Sequence, residues 1–402
     1  MADNVDHNIR TLDGCNTFHG MGIIATYTPG KPAHKTVPRM SVTSDEIKRV
    51  GRINIRYFKS QHTGDLPLTF KELTAMEKLD PTADVDLLWD ISLVLYSRRP
   101  AWSGLMQSIH QGAHPGRSSV LFLPMIDLDP NNMTCIFSTL NYVCDQAKVY
   151  NVTPVVTFDQ PLFWKALLII ESEPSWSVLK TVVLRLGGLH MEMSFLGCVG
   201  HFMAATGLAQ VLEMVYAENA VKHILTGKAI ARAVRGHFMV HAALSTMLIA
   251  NAYNIPLPTI PDEASTADES EDRQDVRCDM QNNVADADDD ATHQSLQRAR
   301  ELFNDTLMNP SASVSLDLSS EDALHVVIER LNAGKDSMKD LRTAKLWIQY
   351  MEMIGILRTF IKAERTGDWK LHLQAVHDML PYFAAAGHNL YAKSAYIYVQ
   401  KM

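Results

Sequence analysis

The stretch NVTPVVTFDQPLFWKALLII, residues 151–170, passes from a β-branched apolar run into a helical pattern through one aspartate. Valine and threonine favour extended backbone. Pro161 suits the first turn of a helix, where its missing N–H would have no intrahelical partner anyway. The stretch therefore predicts a strand over 152–158 and a helix starting at Pro161. A strand delivered straight into a helix is a building unit of α/β proteins, and few other features restrict this fold as strongly. Asp159, at the junction, has two readings. Its side chain can cap the helix. At the carboxyl end of a strand, where α/β folds bind ligands, it can instead hold a divalent metal.

The flanking segments continue the alternation. TFHGMGIIATYT (17–28) follows the turn signal TLDG and reads as a strand, as do VLFLPMIDLDP (120–130), VLKTVVLRL (178–186) and the shorter RINIRYF. Residues 133–150 place Ile136, Leu140, Val143 and Ala147 on one helical face. Helical spacing also runs through 67–97, a long apolar helix covers 189–216, and another covers about 218–253. From 297 to 402 the pattern is all helix. There Trp347, Tyr350, Met351, Ile354, Leu357 and Ile361 form one broad apolar face, and Asp368 is positioned to cap the next helix.

The formal charge of −8 is not evenly spread. Residues 262–290 hold twelve acids against Arg273 and Arg277, a balance of −10, so the rest of the chain carries about +2. The segment 256–296 reads as an acidic disordered linker. The remainder is near neutral, and its charge does not exclude DNA. The five cysteines show no zinc spacing. With a polar N-terminus, they fit a nuclear or cytoplasmic protein with reduced thiols rather than a secreted one. The apolar stretch 189–216 contains Glu192, His201, Gln210 and Glu213, and reads as a buried helix rather than a membrane span. No feature sets an oligomeric state.

Other motifs are sparse. HFMVH (237–241) and HQGAH (110–114) space histidines as a metal site can, but neither has the acid of a zinc helix, and both read as structural. Neither G-x-S-x-G nor a P-loop occurs. Lys228, Arg232 and Arg235 share a helix face that is either solvated or able to contact phosphates. His190 and Glu192 open a helix after a glycine pair and are either core polar groups or partners of a metal ligand.

Five blocks carry a resemblance. ADNVDHNIRTLDGCNTFHGMG, CIFSTLNYVCDQAKVYNVTPVVTFDQPLFWKAL, VVLRLGGLHMEMSFLGCVGHFM, VYAENAVKHILTGKAIARAVRGHF and FIKAERTGDWKLHLQAVHDMLPYF are similar to a large group of uncharacterised eukaryotic proteins that descend from mobile elements. The resemblance implies an α/β fold: a ribonuclease H-like core sheet of the DDE-transposase type, with a long insertion and an all-helical C-terminal region. The core would span 1–29 and 115–255, with the insertion at 30–114, the acidic linker at 256–296 and the helical region at 297–402. It implies Asp3, with Asp6 as rival, and Asp159 as ligands of Mg²⁺, and His190 as a group orienting them. The strand bearing Asp3 is expected to be too short to pair. Glu171, Glu173 and Glu192 come too early to be the third acid, which is expected beyond Met402. The implied function is ancestral Mg²⁺-dependent cleavage and strand transfer of DNA, in a chain that is now inactive or fragmentary. The alternative is a non-catalytic scaffold binding nucleic acid or protein through Lys228, Arg232 and Arg235.

Overall fold

The computed structural model describes residues 1–8, 17–27, 41, 43–46, 53–59, 68–73, 83–94, 100–109, 118–255, 287–308 and 322–402. In chain order the elements begin with strands β1 (Ala2–Asn8) and β2 (Thr17–Tyr27), helices α1 (Ala83–Val94) and α2 (Trp102–Ile109), and strand β3 (Ser119–Phe122). Then come α3 (Met133–Tyr150), β4 (Val155–Phe158), α4 (Gln160–Ser172), a 3-10 turn (Val178–Thr181) and β5 (Val183–Leu186). The rest is helical: α5 (Gly188–Phe202), α6 (Leu208–Glu213), α7 (Glu218–Leu225), α8 (Ile230–Ala252), α9 (Ala287–Met308), α10 (Asp322–Met338), α11 (Arg342–Thr366), α12 (Trp369–Ala385) and α13 (Asn389–Lys401). Two compact units result. One comprises Met1–Lys78, His114–Ala233 and Thr359–Met402, and the other Leu79–Ala113 and Val234–Arg358.

The first unit mixes strands and helices. β1 pairs antiparallel with β2, and β2 with β3, while β4 and β5 pair parallel. Side chains alternate as a pleated strand requires: Val156 and Phe158 of β4 and Leu184 and Leu186 of β5 are buried, whereas Val155 is 53% exposed. α3 starts at Asn132, whose side chain accepts from the Thr134 N–H, and stops at Asn151 in the left-handed conformation. α13 packs on α4 and β5, and α12 on α5. Their core is aromatic, with Phe163 edge-on to Tyr398 at 6.0 Å and Phe195 edge-on to Phe383 at 5.9 Å. The second unit is helical among its described residues. Within it α9 packs on α1, α2 and α10, burying Leu88, Ile91, Leu105, Leu302, Phe303 and Val327.

The expected ribonuclease H-like core sheet is not what forms. Helix takes most of the described residues and strand only a small share. The strands make two small sheets, β1-β2-β3 and β4-β5, and although β1 lies beside β4, no ladder joins them among the described residues. β3, β4 and β5 have four residues each, and the apolar repeats elsewhere have a helical period, so helices supply most of the burial. The C-terminal helices are also divided: α12 and α13 belong to the first unit, and residues 234–358 to the second.

Individual elements fared differently. The helix over 133–150 and the Asp368 cap, which accepts from the Leu371 N–H at 3.0 Å, are present. The stretch 189–216 is two helices, because Ala205 and Gly207 take positive φ between α5 and α6. Residues 53–59 form no strand, and α9 begins inside the segment expected to be linker. β1 has seven residues, and all seven pair with β2, so the strand bearing Asp3 is not too short. No helix among the described residues is long and apolar enough to cross a membrane. The 11–14 turn, the 110–114 histidines, and the linker up to residue 286 lie outside the described residues.

Candidate functional site

Because β4 and β5 run parallel, their carboxyl ends open side by side. The chain leaving β5 is held tightly there: the Gly187 N–H donates to the Phe158 carbonyl at 2.7 Å. A Cβ on Gly187 would stand only 3.0 Å from that oxygen. Two helices begin at this mouth, α4 after Asp159 and α5 after Gly187, so the positive ends of two helix dipoles lie there.

Asp159 is half-buried and caps α4, its Oδ1 accepting from the Leu162 N–H at 3.2 Å. Its pKa is raised, first by burial and also by the charge of Asp3; the Leu162 hydrogen bond, His190 and Lys165 pull the other way. Asp3 sits on β1 opposite Gly22, on the strand beside β4. Tyr391, in the first turn of α13, faces the same acid, and burial together with the Asp159 charge pushes its phenol up to about 12. Asp3 and His190 are thus both within electrostatic range of Asp159. The three do not converge into a metal cage: among the described residues no three histidine, cysteine or carboxylate side chains are grouped to hold an ion. Asp6 lies on β1 in register with His19 of β2, and its side chain is outside the described ones.

The remaining acids are committed elsewhere. Glu171 pairs with Lys401 and Lys180, and Glu173 accepts from Ser177. Glu192 has a raised pKa, first from burial, with Arg365 opposing and Glu364 adding to the rise. Lys228 and Arg232 are exposed, as is Arg235 three residues further along α8. His237 and His241 of HFMVH are buried in the second unit. His241 Nδ1 receives an Arg358 N–H at 2.8 Å, which occupies the lone pair a metal would need.

Sequence reasoning missed a connected polar group of the first unit, centred on Glu364. Glu364 accepts from Arg185 of β5, and its Oε1 lies 2.7 Å from His372 Nδ1. That contact is close but off the N–H axis, since Nδ1 completes no hydrogen bond. His372 Nε2 is 3.0 Å from the Tyr398 hydroxyl, and Trp369 stacks on His372 and under Arg185. A Cβ on Gly188 would strike Glu364 Oε2 at 2.8 Å, so this network abuts the start of α5. The available signal was Arg185 itself, a lone cation in the apolar strand VLRL.

Fold and site together define a mostly helical protein with two small sheets, in which Asp159 ends one strand of a parallel pair and caps the helix that follows. Residues 101–402, more than half of the chain, match the model of a domain of unknown function, DUF8702, and the chain belongs to that family. The matched region contains Asp159 and His190. No curated protein and no solved structure shows significant similarity.

Proposed function

We propose that Asp3 and Asp159 are ligands of a divalent cation, Mg²⁺, in a transposon-derived protein whose ancestral activity was DNA cleavage and strand transfer. The observation that carries this reading is the electrostatic coupling of Asp3 to Asp159 across the intervening sequence, with His190 in range of the same carboxylate. The Asp3 charge disfavours a charge on Asp159, and a shared cation would relieve this. The residues fit such an ion at the level of two ligands. Asp159 commits Oδ1 to its cap, its second oxygen and the Asp3 carboxylate are donors of the kind Mg²⁺ takes, and water normally completes that shell. When bound, the ion would activate a hydroxyl and stabilise a leaving phosphate oxygen. The N-termini of α4 and α5 favour a phosphate beside it, and His190 orients Asp159. The activity is ancestral in this reading because no third acid stands with the pair among the described residues.

Calorimetric titration of the full chain with MgCl₂ and MnCl₂ tests the reading, beside nicking of supercoiled plasmid. Binding that weakens at least tenfold in Asp159→Asn and in Asp3→Asn is expected. Equal affinity in wild type and both variants, or no binding at millimolar metal, ends it.

A second reading is favoured by the exposure of Lys228, Arg232 and Arg235: a scaffold that binds DNA without catalysis. Its mark is salt-dependent DNA binding that persists in Asp159→Ala and weakens when these cations are replaced by Gln.

A further inference from the structure

His237 and His241 lie one turn apart on α8, and each is held in a setting that has no place for a second ring proton. His237 is 0% exposed. Its Nδ1 is 3.0 Å from the Tyr350 hydroxyl, and Nε2 is buried with no hydrogen-bond partner among the described residues. Protonation would add a charge and a buried N–H with no acceptor. His241 is 7% exposed, and its Nδ1 accepts from Arg358 Nη2 at 2.8 Å, with the Ser245 hydroxyl 3.4 Å away. A guanidinium only donates, so this contact requires an unprotonated Nδ1.

The charged neighbours reinforce the demand. From α11 comes Arg358, 4% exposed, and from α10 comes Lys335; both disfavour a cation on His241. The negative group from α1, Asp90, is bound to Arg358 at 3.2 Å. Arg358 is further fixed between Trp89 and Phe238, 5.7 Å from each ring centre, and so cannot swing away cheaply.

We propose that His237 and His241 form an acid-operated latch in the second unit: both imidazoles are neutral when it is closed, and acidification opens it. Burial holds His237 down at about 4 and His241 well below its usual range, with Arg358 and Lys335 adding to the latter. For bases depressed in the folded state, the stability is fully present above the unfolded value of 6.5. It falls as pH drops below that value. One such histidine raises the opening constant about tenfold per pH unit, and two raise it about a hundredfold.

The test is hydrogen exchange of the full chain between pH 7.5 and 5.0, corrected for intrinsic exchange and read in peptides covering 237–252 and 342–357. The expected result is an opening constant that rises about a hundredfold per pH unit below 6.5. In His241→Gln, whose amide oxygen can still accept from Arg358, the slope should drop to about tenfold. A wild-type slope near zero, or one unchanged in His241→Gln, overturns the latch. Should that variant not fold, imidazole NMR of the wild type decides. Both rings must stay neutral in the folded protein at pH 5.5, and a folded ring titrating near 6.5 overturns the proposal. The inference is independent of the Asp3–Asp159 reading.

Discussion

Gly200 rests directly on the backbone of Leu225: a Cβ placed on it would stand 1.9 Å from the Leu225 carbonyl oxygen. The reverse approach is nearly as close, since a Cβ on Gly227 would be 2.1 Å from the Met193 carbonyl oxygen. Helix α5 therefore meets α7 and the turn after it backbone to backbone, with no flexible side chain between to yield. Gly200→Ala should lower stability by about 3 kcal/mol as the helices are forced apart. Gly355, inside α11, meets nothing within 4 Å, so Gly355→Ala should raise stability by up to about 1 kcal/mol. Thermal melts of the two variants check this, and melting points moving in the same direction would contradict the packing described.

Asp159→Asn separates capping from charge. Asparagine is as good an N-cap as aspartate, so α4 keeps its acceptor for the Leu162 N–H while the charge facing Asp3 disappears. The folded pKa of Asp159 is raised above its ordinary 3.8, first by burial. Its stabilising contribution is therefore complete below 3.8 and is lost as pH rises through the raised value, leaving an ionised group that destabilises the fold at neutral pH. The variant should match or exceed wild-type stability at pH 7 without added cation, and the gap should close in acid. Urea midpoints at pH 7 and pH 3.5 measure it. A loss above about 1 kcal/mol at pH 7 would show that the carboxylate, not the cap, holds α4.

Glu364→Gln should behave in the opposite sense. Burial alone would raise the Glu364 pKa, but the contacts from His372 and Arg185 outweigh it and the net shift is downward. Its contribution is present above the ordinary 4.5 and fades as pH falls through the depressed value. With side chains about 29% exposed on both sides of the Arg185 pair, the expected loss at pH 7 is about 2 kcal/mol. The loss should shrink as pH falls below 4. A pH-independent loss would assign the effect to packing rather than charge.

Thiol labelling probes the burial of the first unit. Cys135 and Cys144 are pushed up to about 11 and Cys198 to about 12, in each case first by burial. A thiol reagent applied to the native protein at pH 7.5 should leave these three unmodified, and denaturation should expose all three. Native labelling of Cys198, which is fully buried on α5, would show that this helix opens readily.

Much of the local structure was legible because its causes are local. Asp159 and Asp368 each stand one residue before a helix and cap it, and the apolar face of 133–150 follows from spacing alone. The metal and capping readings of Asp159 were never exclusive, since one oxygen caps and the other remains. Gly207 and Ala205 broke an apolar run that spacing reads as one helix, because hydrophobicity carries no information about positive φ. The size of the sheets was misjudged for a similar reason: a β-branched run shows that a strand can form, not how many partners it finds.

The sequence by itself determined where the helices after Asp159 and Asp368 begin, which face of 133–150 is apolar, and that an aspartate ends a strand at the entry to a helix, since each depends on residues a few positions apart. Tertiary structure alone decided that the charge of Asp3 comes within reach of Asp159, that Glu364 neutralises Arg185, and that Arg358 takes the lone pair of His241. These pairings join residues more than a hundred positions apart in sequence. Their charges interact through space, at distances that only the packing of helices and strands sets.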